Sequence, residues 1–242
     1  MYLTNFSDSR CEDWTSKEQL DLAKLAGYKI EQGEYYTFFK KDGIVKAVGK
    51  SQEVPTKQGH ILFAGIKREK KFSDGRSLDE TIKEADDGEL KIADHSFCGI
   101  KGQNGVLAYS KNREKDAKKV DTLEINGNFY FPFSLANWKA VKYSKKYNIP
   151  ILANADGHHP KDVGDCYNLF KSDSLEYSSE RAFRDSINCQ VKEKRFETHY
   201  SPIPIYRIFH HVLMIVMNKW FNKDWEKQEN RRVQQKSYER AA

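Results

Sequence analysis

The stretch ILANADGHHPKDVGDCYNLF (residues 151–170) sets Asp156, His158 and His159 just after a short apolar run and just before a proline. A run of that kind reads as a buried strand, and a strand that ends in a carboxylate and imidazoles is placed to join a site built from several strand ends. In an extended Asp-x-His segment the two outer side chains fall on one side, because strand side chains alternate with period two. Asp156 and His158 are therefore the expected ligand pair, and His159 points elsewhere.

Upstream, SLANWKAVKYSKKYNIP reads as the helix that feeds this strand, and the same alternation recurs toward the start of the chain. TSKEQLDLAKLAGYKI offers Thr15 or Ser16 as an N-cap and Gly27 as a stop, so it predicts a first helix. GIVKAVG and GHILFAGI predict strands on either side of the turn EVPTKQG, SLDETIKEADDG a helix, and ELKIADHSF and VDTLEING two further strands. Repeated strand, helix and strand units with apolar strands predict an α/β domain with parallel pairing covered by helices. The C-terminal strand ends then gather Glu53, His95, Glu124 with Asn126, and Asp156 with His158 on one face. Imidazoles and carboxylates crowded into a small volume call for a divalent metal, which keeps the histidines unprotonated and the carboxylates charged together. His60 and His199 read as surface or hydrogen-bonded turn residues.

With 242 residues, 38% of them hydrophobic, the chain can bury a sizeable core as one α/β domain or two small ones. The net charge of +6 comes from interspersed basic and acidic residues, which permits a nucleic-acid or phosphorylated partner without requiring one. Cys11, Cys98, Cys166 and Cys189 show neither zinc-knuckle spacing nor the density of a secreted disulfide scaffold, so a reducing, cytoplasmic setting is expected. A soluble protein is expected as well, since neither a leader nor an apolar run of spanning length is visible. Toward the end, YRIFHHVLMIVMNKWF spaces Ile208, Phe209, Val212, Leu213, Val216, Met217, Trp220 and Phe221 along one helical face. The pattern predicts one amphipathic helix over 206–225 that packs on its own domain, on a protein partner or on a second copy; Asp224 and Glu226 disfavour a membrane surface. The expected division is an α/β barrel over 1–200 and a C-terminal helix with a charged tail over 201–242.

Taken in order, these segments resemble the PHP domain, the polymerase and histidinol phosphatase family. ANADGHHPKDVG is similar to its closing motif, and VGKSQEVPTKQGHIL to the segment that carries a bridging glutamate. IADHSFCG resembles the strand that ends in a metal-binding histidine, with Ser96 where the family usually has proline, and EINGN resembles its Glu-x-Asn strand. The resemblance implies a distorted (β/α)7 TIM-like barrel holding about one to two divalent ions of manganese, zinc or iron, and hydrolysis of phosphomonoesters or nucleic-acid phosphodiesters by a metal-activated water. Carried over residue by residue, it implies Glu53, His95, Asp156 and His158 as metal ligands with help from Glu124. It further implies Asp156 and His159 in catalysis, with Lys101, Lys161 and Asn126 near the substrate. The family's opening His-x-His would fall on Met1 and Leu3, and YKIEQGEYYTFF holds no counterpart of the Asp-His that commonly follows. Those departures imply an alternative, a catalytically inactive barrel that serves as a structural or protein-binding module.

Overall fold

The computed structural model describes residues 2–6, 17–100, 103–127, 134–156 and 164–207, together with positions 209, 213 and 217. Along the chain run β1 (Tyr2–Phe6), α1 (Lys17–Leu25), β2 (Lys29–Gln32), β3 (Tyr36–Lys41), β4 (Ile44–Pro55) and β5 (His60–Ala64). Then come α2 (Leu78–Lys83), β6 (Leu90–Ala93), β7 (Gly99–Ile100), β8 (Gln103–Asn104), α3 (Arg113–Ala117) and β9 (Thr122–Asn126). α4 (Ser134–Tyr147), β10 (Ile151–Asn154), β11 (Cys166–Phe170), α5 (Glu180–Lys192) and β12 (Phe196–Tyr200) complete the order.

The main sheet runs β10-β9-β6-β5-β4-β3-β2, with β1 beside β4. Pairing is parallel between β6, β9 and β10 and between β1 and β4, as the strand-helix-strand reading requires. From β2 through β6 it is antiparallel, which corrects the expectation of parallel pairing throughout. Short connections explain most of this: Asp42 and Gly43 both take left-handed backbone (φ 50° and 75°), the conformation of a two-residue hairpin turn. The fold is thus α/β with a mixed sheet, and among the described residues no pairing joins β10 to β2.

Period-two alternation distributes the side chains over two covered faces. Ile61, Phe63, Ala93 and Leu123 enter a core with Leu78 of α2, Ala117 of α3 and Ala136 and Ala140 of α4. Leu62, Ala64, Ile92 and Leu152 face the other way and pack against Val191 of α5. Glu53 lies opposite Leu62 and Glu124 opposite Leu152 in the strand register, so both acids belong to this second face. Beyond β12, Ile203 is buried and donates its N–H to the Gly127 carbonyl. Of the anticipated C-terminal helical face, positions 209, 213 and 217 are helical, and Phe209, Leu213 and Met217 are exposed; the rest lies outside the described residues. Among the described residues no helix is long and apolar enough to cross a membrane.

Candidate metal centre

Glu53, His60, Asp94 and His95 each turn one ligand atom toward a common point, all of these atoms lying within 4.8 Å of one another. Two of the four were not expected. His60 opens β5 and His60 Nδ1 contacts Glu53 Oε1, so its reading as a surface or turn residue is corrected. The register explains the contact: Pro55 pairs with His60 and Glu53 with Leu62, which makes Glu53 and His60 diagonal neighbours on one face. Glu53 sits inside the 12-residue β4, not after a strand as its sequence position implied.

Asp94 and His95 follow β6 directly. On an extended chain they would point to opposite faces, but His95 has φ 43°, a left-handed conformation uncommon for a residue with a side chain. That turn brings both inward, with His95 Nδ1 3.4 Å from Asp94 Oδ2. Ser96 holds the turn: its hydroxyl donates to the Ala93 carbonyl at 2.7 Å and accepts from the Glu124 N–H at 3.2 Å. Gly105 presses its backbone against His95 and Ser96, where any Cβ would collide with their carbonyls. Ser96 therefore ties the β6 turn to β9.

Glu124, Asn126 and Asp156 flank the quartet. Asn126 is buried, and its Nδ2 donates to Glu124 Oε1 at 3.2 Å and to Asp156 Oδ2 at 3.0 Å. Expected near the substrate, Asn126 here holds two carboxylates in place. Asn137 of α4 fixes Asn126 in turn, accepting its N–H at 2.9 Å and donating to its carbonyl at 2.8 Å. Asp156 reaches His95 Nε2 at 3.4 Å. Its backbone is left-handed, with φ 47°, so the alternation argument that paired Asp156 with His158 does not apply at that position. His158, His159, Lys101 and Lys161 lie outside the described residues.

The electrostatics follow from crowding acids in a dry space. Burial, and then the Asp94 carboxylate, push Glu53 up to about 7. Burial likewise pushes Glu124 well above the usual carboxylate range, reinforced by Asp94, Asp156 and Glu53. For His95 burial acts to lower the value, yet Asp94, Asp156 and Glu53 outweigh it and raise the imidazole to about 10. Glu124 Oε2 is buried with no hydrogen-bond partner among the described residues. Among the described residues, four acids facing two imidazoles leave an excess of negative charge that a divalent cation neutralises, and mixed nitrogen and oxygen donors suit a divalent metal. The residues present fit such an ion.

Comparison with known proteins adds three findings. Residues 134–190, from α4 into α5, match the family model PHP_C, described as PHP-associated. The crystal structure of PsfC from Pseudomonas syringae PB-5123 superposes with a TM-score of 0.49 at 12% identity, covering 74% of this chain and 67% of that one. No curated protein matches significantly.

Proposed function

We propose that the chain is a divalent-metal-dependent phosphoesterase of the PHP family, built on a distorted (β/α)7 TIM-like barrel and acting on phosphomonoesters or nucleic-acid phosphodiesters. The observation that carries this reading is the convergence of Glu53, His60, Asp94 and His95, with Asp156 against His95. The PHP-associated match over 134–190 includes Asp156 and supports it. Without a cation the acids would repel a phosphate ester, so the cluster makes chemical sense as a binder of anionic substrate only when a metal is held there.

Glu53, His60, Asp94, His95 and Asp156 would hold the ion, with Glu124 and His158 as further ligands. When bound, a divalent ion supplies Lewis acidity toward water and toward a phosphoryl oxygen. Glu53 orients the His60 ring, Asn126 orients Asp156 and Glu124, and Ser96 fixes the turn that aims His95. His159 is assigned to the substrate phosphate or the leaving oxygen, and Lys101 and Lys161 to attraction of the phosphate. The test is hydrolysis of a generic phosphomonoester and a short oligonucleotide in manganese by the full-length protein. Turnover that Asp94→Asn and His158→Ala abolish is expected; turnover that survives both variants would contradict the assignment.

A second reading, a non-catalytic module that binds a protein, has one observation in its favour. β1 runs parallel to β4 with Phe6 opposite Glu53, yet its residues Tyr2 to Phe6 contain no histidine to add to the centre. Background turnover from a protein that nonetheless holds metal would favour this module.

A further inference from the structure

A recess on the outer side of α4 gathers aromatic and cationic side chains that the metal centre does not use. Phe97, Arg113, Trp138, Lys139, Lys142 and Tyr143 line a cavity of about 250 Å3. Trp138 is 60% exposed, a large apolar surface left in water one turn into the helix. Lys142 Nζ stands 5.4 Å from the centre of its ring, and the Phe97 and Tyr143 rings pack with centroids 4.8 Å apart to form the base. Arg113 is held in place by bonds from Nε to the Leu107 carbonyl at 2.9 Å and from Nη2 to the Ala108 carbonyl at 3.0 Å. Arg113, Lys139 and Lys142 have no carboxylate partner among the described residues. Nearby Lys118 and Lys119, by contrast, are paired with Glu114 and with Asp116 and Asp79.

Three unneutralised cations around an exposed indole ask for a ligand that is anionic and also has a flat π face. A free phosphate would satisfy the charges and leave the indole bare, and an acidic peptide would do the same. A nucleotide uses both, its base stacked on Trp138 and its phosphate against the guanidinium and ammonium groups. The residues of the recess neighbour those of the centre along the chain, while Phe97 and Tyr143 belong to the core on the other face of the sheet. Phe97 lies two residues beyond His95, and Trp138 follows Asn137, the residue that clamps Asn126. We propose that this recess binds one nucleotide unit of a single-stranded nucleic acid. Any cleavage of that strand rests on the phosphoesterase reading, whereas the binding itself does not.

Fluorescence anisotropy of a labelled oligothymidylate with the full-length protein, in chelator and without turnover, tests the binding alone. Trp138→Ala should weaken binding about tenfold or more, and Trp138→Phe should retain most of it. Replacing Lys139 and Lys142 with glutamine should reduce the salt dependence of log affinity by about 0.7 for each lysine removed. Because Trp138 is exposed, an unchanged circular dichroism spectrum will show that the variants remain folded. Parent-like affinity in folded Trp138→Ala would overturn the proposal, as would equal affinity for an abasic strand, for polyglutamate or for the mononucleotide. Binding that persists in a protein without hydrolytic activity supports the recess while sinking the enzyme, so the two failures are separable.

Discussion

Glu89, one residue before β6, and Glu53, in β4, are both buried acids, and their surroundings offset the cost of burial in different ways. Glu89 meets Lys70, whose Nζ lies 2.8 Å from Glu89 Oε2, and the same oxygen accepts the Asp86 N–H at 2.9 Å. Burial still raises Glu89 above the ordinary range, but one lysine stands beside it. Among the described residues Glu53 has no such lysine in its company; it shares its space with Asp94, Glu124 and Asp156, and with His60 and His95. A structural ion pair is closed by charges the chain carries. Among the described residues the metal centre is left short of positive charge, and that deficit distinguishes a binding site from a salt bridge.

The widest separation of the two regions should come from Lys70→Met. Leaving Glu89 uncompensated should cost about 3 kcal/mol or more in chemical denaturation, with metal content unchanged. A fall in metal content would mean that the two regions are coupled.

The next contrast is in pH. Glu53, at about 7 in the folded chain against an ordinary 4.5, favours the fold while it is protonated. That contribution is complete below about 4.5 and is lost as the pH rises through about 7, a loss on the order of 3 kcal/mol for the metal-free protein. His95, raised from 6.5 to about 10, acts in the same direction at higher pH: its contribution is complete below 6.5 and fades as the pH passes 10. Thermal melts in chelator should therefore fall between pH 5 and pH 8, and added metal should restore more at pH 8. A flat profile would remove the electrostatic part of the comparison.

Asp94→Asn should cut metal affinity more than tenfold. In the metal-free chain it removes a carboxylate that repels Glu53 but holds the charged His95, so stability should change little. Smallest is Ser96→Ala, which should cost about 1 kcal/mol by removing the bonds to Ala93 and Glu124, and should weaken metal about tenfold through the His95 turn. Ser96→Thr should recover part of both.

Much of this was legible in the chain because strand-helix-strand alternation and the order of Glu53, His95, Glu124 and Asp156 are local patterns. The mixed sheet is harder to read, although Asp42-Gly43 is a hairpin signal in the sequence, because helices between strands favour parallel crossovers. His60 is not legible as a ligand because its partner lies across a hairpin, and a register is needed before Glu53 and His60 become diagonal neighbours. Asp94 was hidden by the alternation rule itself: the left-handed backbone at His95 lets two consecutive residues face one point. The clamp from Asn137 to Asn126 depends on how α4 packs on β9, which no spacing along the chain encodes.

Elemental analysis of the untreated, full-length protein beside Asp94→Asn tests the centre most directly. The account predicts about one to two divalent ions per chain in the parent and a marked loss in the variant, both proteins remaining folded. A folded parent with no metal above background, and no uptake of manganese, zinc or iron after dialysis, would contradict it.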